Sequence, residues 1–169
     1  MEIVTETEMA TETEIDFSDD YSEKIKSEVD EVVANASSLQ EELEGIENLV
    51  QTYTPMAQEA QTQMEMNLSS GWFFEIWDAE LNALWDRFSE LADAQTKETL
   101  LEEQRNWIGM KDEVLRISIG DREENGSMYP LLCNTFLEEQ TKSRAYVIAK
   151  ELAKIKKEDF VMPNKSKTY

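Results

Sequence analysis

The stretch from Trp77 to Ile108, WDAELNALWDRFSELADAQTKETLLEEQRNWI, constrains the fold of this chain more than any other. In its first half Trp77, Leu81, Leu84, Trp85, Phe88 and Leu91 recur at helical spacing and form one broad apolar stripe. Asp78 and Asn82 lie four apart beside that stripe, so they stack on one flank of the same helix. After a polar turn at Asp93–Thr96, Leu100, Leu101, Gln104, Trp107 and Ile108 repeat the arrangement. Two amphipathic helices with a Trp and a carboxamide on or beside their packing faces are suited to packing against each other. The pattern specifies a small helical domain and leaves its activity open.

The same periodicity extends in both directions. From Tyr21 to Tyr53 apolar residues from Ile25 to Val50 recur at spacings of three and four, which predicts an acidic helix over 22–53. Gly45 weakens that helix without ending it. Its docking stays open between packing on the body, pairing with another copy and partial formation. Thr54-Pro55 reads as a restart, with Thr as cap and Pro at the first helical position. From Met56 a helix can run to about Ala92, with Ser69, Ser70 and Gly71 allowing close approach or a kink, and with WFFEIW covered on more than one face. A further helix is expected from Lys97 to Ile119, then a polar loop, GDREENGSMYP, then a last helix from Leu131 to Lys157. Residues 1–21 contain TETE twice and no Lys or Arg, so like-charge repulsion and scarce large side chains predict a disordered acidic tail or stalk. The expected fold is all-α, a small bundle of three to four long helices behind that tail. The segments are 1–21, 22–53, 54–157 and a flexible tail at 158–169.

Charge and residue usage narrow the function. The formal net charge is −21, and the first 52 residues hold 16 acidic against two basic side chains. Such a surface argues against nucleic acid, which needs clustered Lys and Arg, and is compatible with a basic partner; solubility alone explains it equally well. No run approaches a membrane span. The opening EIVTETEMATETEI is acidic where a signal segment would be basic and then apolar. With no His and one Cys, neither a Ser-His-Asp nor a Cys-His arrangement can form, and zinc has no usual ligand set. The pairs Glu41-Glu42, Glu102-Glu103 and Asp112-Glu113 read as solvated helix faces, because adjacent helical positions point different ways. No enzyme activity, metal or cofactor is expected.

Taken in order, QTQMEMNLSS, WDAELNALW, LLEEQRNWIGMKDE, a GS loop and TKSRAYVIAKEL resemble the N-terminal domain of the LprI-like lysozyme inhibitor family. The resemblance covers about Ala57 to Ala153. Its most specific parts are Met66-Asn67, Asp78 with Leu81-Asn82, Gln104 with Trp107-Ile108, Asp112, Gly126-Ser127, and Thr141 with Arg144. Many members carry Cys after the Met-Asn pair, after the Trp-Ile helix and in the last helix, and these are thought to be disulfide-linked. Here Ser69 or Ser70 and Val114 or Leu115 stand at the first two places, leaving Cys133, and Lys111 replaces a common Arg. The resemblance implies the Cys-poor branch, a secreted or lipid-anchored extracytoplasmic protein, with 1–21 as the stalk left after a signal or anchor segment is removed. It implies a binding domain acting on lysozyme or another envelope protein. The alternative is a structural envelope lipoprotein domain without lysozyme inhibition.

The motif residues also carry a direct physical reading. Asn67, Asp78, Asn82, Gln104 and Arg144 are polar groups beside apolar stripes on three helical segments, and packed together they would satisfy one another. Arg144 with Asp78 is the expected ion pair, and Trp85 and Trp107 are expected in the core. Such a network fixes helix register or lines a ligand site. Cys133 reads as a small buried residue. For binding, the expected contact is the Gly120–Pro130 loop, with Gly126, Ser127, Met128 and Tyr129 as its tip and Asp121, Glu123 and Glu124 steering a cationic partner such as lysozyme. The competing reading is that Gly126-Ser127 only turns the chain and Tyr129 folds back onto the core.

Overall fold

The computed structural model describes residues 14–163, and no strand occurs among them. The long helices are α1 (Ser22–Asn35), α2 (Leu39–Gln58), α3 (Gln63–Leu91), α4 (Ala94–Ile119) and α6 (Tyr129–Lys156). Between the last two lie a single turn, α5 (Arg122–Asn125), and a 3-10 turn, Gly126–Met128. The all-α bundle expected from the periodicity is the fold observed.

α3 and α6 form the spine, and they run parallel: Asn134 meets Ser70 near one end and Tyr146 packs on Trp77 further along. A parallel pair needs a return path, and α4 provides it, lying antiparallel to α6 with Leu100 at Arg144 and Trp107 at Phe136. On the other side α2 descends antiparallel to α3, with Tyr53 at Trp72 and Glu42 at Arg87. α1 runs beside α3, and its Ser22 hydroxyl donates to Glu75. The core is drawn from α1, α2, α3 and α6, with Trp77, Tyr53, Phe88, Ile46, Leu84, Ile148 and Leu152 fully enclosed. Burying side chains of this size contributes about 1.5–3 kcal/mol each before ordering costs.

Several boundaries differ from the sequence reading for local reasons. The acidic helix over 22–53 is a hairpin, broken at Ala36–Ser38, where the Ser38 hydroxyl caps α2 by accepting from the Glu41 amide. Gly45 faces α1 across that hairpin. A Cβ there would come within 2.6 Å of Val32 Cγ1, so the glycine permits the close approach. Pro55 does not restart a helix: it sits in the last turn of α2, where one missing hydrogen bond is tolerated. The restart comes at Thr62, whose side chain accepts from the Glu65 amide while Glu65 accepts from the Thr62 amide in a capping box. α4 begins at Ala94, three residues earlier than expected, because Asp93 caps it through Thr96.

The chain ends also differ in part from expectation. Of the tail expected over 1–21, residues 1–13 lie outside the described residues, whereas Phe17 is buried and stacks on Trp72 at 5.6 Å between ring centres, with Tyr21 on the same indole at 4.9 Å. Within the expected C-terminal tail, Glu158 accepts from the Leu39 amide at the start of α2, and Phe160 lies against Tyr146. Residues 164–169 lie outside the described residues.

Candidate functional site

The loop expected over 120–130 is short and ordered. Gly120 ends α4 at φ +91° and Gly126 turns the chain at φ +56°, conformations that L side chains rarely adopt. Between them the Asn125 amide donates to the carbonyls of Ile119 (2.8 Å) and Asp121 (2.9 Å), tying α5 back to the end of α4. Asn67 then pins the turn to α3 by donating to the Ser127 carbonyl at 2.8 Å, with its own oxygen held by Gln63. Asn134 donates to the Asn67 carbonyl and the Ser70 hydroxyl, so a small polar cluster joins the starts of α3 and α6.

The four expected binding residues have different environments. Gly126, Ser127 and Met128 are exposed, as are Asp121, Glu123 and Glu124. Tyr129 is the first residue of α6 and half-buried, with the Arg122 guanidinium 5.2 Å above its ring. The Cys133 side chain, one helical turn on, raises the phenol pKa. Cys133 is half-buried rather than enclosed. Met64 and Met66, at the start of α3, are exposed at the same end of the bundle.

The polar motif residues do not converge on one network. Asn67 serves the turn just described. Asp78 and Asn82 project from α3 into a groove of about 490 Å³ against α1, lined also by Lys26, Asp30, Glu75 and Asp86. Burial raises the Asp78 pKa, opposed by the Asn82 hydrogen bond and the Lys111 charge. The ion pair expected between Arg144 and Asp78 is therefore absent. Arg144 points instead to α4, where it donates to Gln104 Oε1 (2.8 Å), the Leu100 carbonyl (2.8 Å) and Glu103 (3.1 Å). Together with Trp107 tilted on Phe136, it clamps α4 to α6. The two planes expected in the core are Trp85 and Trp107, and both are half-buried; the enclosed tryptophans are Trp72 and Trp77. Three helices separate the five polar groups, because α3 presents different faces to α1, α6 and the turn.

The pair Glu41-Glu42 is not the solvated helix face expected: Glu41 is exposed, but Glu42 turns inward, between Leu39 and Ile46, into a buried charge cluster. Glu42 of α2 is 2% exposed and receives both guanidinium nitrogens of Arg87, which also donates from Nε to the Ala83 carbonyl. Beside them Glu80 is fully enclosed. Neither of its oxygens makes a formed hydrogen bond, although Glu42 lies close enough to act on it. Burial, then the Glu42 charge, pushes the Glu80 carboxyl up to about 10, so it is neutral at physiological pH. The signal was present in the spacing. Glu80 follows Trp77 by three and precedes Leu84 by four, and Glu42 stands likewise between Leu39 and Ile46, so each sits inside an apolar stripe. Closed from solvent, Glu80 is placed to affect stability, not to exchange protons with a bound substrate. Among the described residues no group of three or more acidic or thiol side chains is placed to hold a metal ion.

These features define a small helical-bundle domain whose polar side chains mostly join helix to helix. The chain belongs to the family described as lysozyme inhibitor LprI, which matches residues 54–148. No curated protein and no solved structure matches it. The matched span begins in the last turn of α2 and ends within α6, so it excludes α1 and most of α2. Those two helices nevertheless supply Ile25, Val29, Leu39, Leu43, Ile46, Leu49 and Tyr53 to the core. Among the described residues no helix is long and apolar enough to cross a membrane.

Proposed function

We propose that this chain is a non-enzymatic, extracytoplasmic binding protein that engages a lysozyme through the end of the bundle formed by α5, the 3-10 turn and the start of α3. The carrying observation is membership of a lysozyme inhibitor family combined with a turn held from both sides, by Asn125 and by Asn67. A turn so fixed loses little conformational entropy when it binds, which favours affinity. Its exposed residues are suited to a cationic enzyme. Asp121, Glu123 and Glu124 supply a local negative field, and Met128, 46% exposed, offers a pliable apolar contact. Gly126 and Ser127 keep the backbone accessible, while Tyr129 braces the turn through the Arg122 guanidinium over its ring.

The test is a titration of lysozyme activity with the wild type and with Met128→Ala and Tyr129→Ala, at low and physiological salt. Inhibition by the wild type that weakens with added salt and with Met128→Ala is the expected result. No inhibition at any concentration would eliminate the lysozyme reading and favour a structural envelope domain. Equal inhibition by wild type and Met128→Ala would retain the partner and move the contact away from this turn.

A further inference from the structure

We propose that α4 is a self-association surface that pairs antiparallel with a second copy of this chain across a twofold axis at Ile108. α4 is the least covered long helix. Of its 26 residues only Leu100 is buried, and Ile108 is 62% exposed. The side facing α6 is accounted for by Leu100, Gln104 and Trp107. A separate stripe runs along the flank: Leu101, Arg105, Ile108, Asp112, Leu115 and Ile119, spaced alternately by four and three. That is the spacing of a seam between two paired helices. Arg105, Ile108 and Asp112 on it are exposed, and Leu101, Leu115 and Ile119 are half-buried.

Charge selects both the partner and the direction. In a chain of net charge −21, copies repel each other over most of their surface. α2 carries four acidic and no basic residues, and α3 carries six against one. α4 carries five acidic against four basic, so a second copy can approach it at little electrostatic cost. A parallel pairing would set Arg105 against Arg105 and Asp112 against Asp112. The antiparallel pairing centred on Ile108 sets Leu101 against Leu115 of the second copy, Ile108 against itself, and Arg105 beside Asp112 of the second copy. Each of these contacts other than the central one occurs twice, which gives a self-complementary interface of the twofold kind. This surface lies on a different helix from the turn assigned to lysozyme, so the two readings stand or fall separately.

Sedimentation of the full chain at physiological salt, from micromolar to near-millimolar concentration, tests it. The wild type is expected to dimerise reversibly, and Ile108→Glu to weaken the dimer by at least about tenfold while circular dichroism stays unchanged. Ile117→Glu, at an exposed residue on the opposite flank of α4, is expected to leave the dimer intact. Asp112→Arg should weaken it, and Arg105→Asp combined with Asp112→Arg should restore it. In a Cys133→Ser background, Ile108→Cys should link two copies on oxidation, because the axis brings the two positions together. A wild type that stays monomeric throughout, or a dimer indifferent to Ile108→Glu, overturns the proposal.

Discussion

Replacing Glu80 with Gln should stabilise this protein, and the gain should grow with pH. Glu80 is enclosed on α3, faces the Glu42 carboxylate from α2, and shares its own helix with Arg87, whose guanidinium is committed to Glu42. Its folded-state pKa lies above the ordinary value of 4.5. The stability it contributes is therefore fully present below the ordinary value and lost as pH rises toward about 10. The unfolded chain releases this proton, and the folded chain keeps it. At pH 7, well above 4.5 and well below about 10, that difference destabilises the fold by roughly 3 kcal/mol, at about 1.4 kcal/mol per pH unit above the ordinary value. Gln has the shape of the neutral acid, does not titrate, and can donate an N–H toward Glu42. Glu80→Gln should accordingly be more stable by up to about 3 kcal/mol at pH 7, with little difference near pH 5. Urea unfolding of both proteins from pH 5 to pH 9 measures this, and the many other carboxylates cancel in the difference. Parallel stability curves for the two proteins would show that Glu80 titrates normally and would refute the argument.

Arg144→Ala should cost about 2–3 kcal/mol, since it removes hydrogen bonds from a charged donor to Gln104 and the Leu100 carbonyl, while Glu103 remains solvated at 54% side-chain exposure. Amide hydrogen exchange should then accelerate in α4 before α2 or α3, and a uniform change across the bundle would contradict the clamp. Gly45→Ala gains about 1 kcal/mol of helix propensity but drives a methyl into Val32, whose branched side chain has few rotamers, so a net loss of about 1 kcal/mol is expected. In a double-mutant cycle read by chemical denaturation, Val32→Ala should relieve most of that loss, and strictly additive effects would argue against the contact.

How far the sequence could be read follows from how local each signal is. Helix identity comes from periodicity within one segment, so the long helices and the WFFEIW run covered on several faces were legible from spacing alone. Caps were missed even where the side chain acts on its own turn: Asp93 was read as part of a polar turn, and Thr54-Pro55 outweighed the Thr62–Glu65 capping box, which was the true restart. Partners across helices were not legible. Arg144 was assigned to Asp78 because both lie beside apolar stripes, yet choosing between Asp78 and Gln104 requires the rotation of α6 relative to α3 and α4, which no single-helix pattern contains. The half-burial of Trp107 has the same origin: its stripe on α4 is apolar, but α6 covers only one side of it. Glu42 and Glu80 were legible in position, but Glu42 was read as part of a solvated face and Glu80 was passed over, because acidic residues are abundant throughout the chain.

The buried cluster bears on how the family segment is completed in this chain. The span matching the LprI family contains α3 and most of α6, which leaves Trp72 with one side to be covered. Phe17, Tyr21 and Tyr53 of α2 cover it, and they lie outside that span. Apolar burial alone would hold an acidic hairpin there without fixing its register, because hydrophobic contact is non-directional. The Glu42–Arg87 pair is directional and joins the hairpin to the matched segment at one point, while Tyr146 to Glu47 joins it to α6 and Leu39 to Glu158 joins it to the residues just after α6. Breaking one partner of such a buried pair is far more costly than never forming it. A slipped register would strand Glu42, whose side chain is 3% exposed, without its guanidinium, so the cluster excludes alternatives that the apolar stripes would tolerate. The protonated Glu80 beside it is the energetic cost of crowding that specificity device into a packed interior. The same position is for that reason where a single isosteric change adds stability without altering the pair.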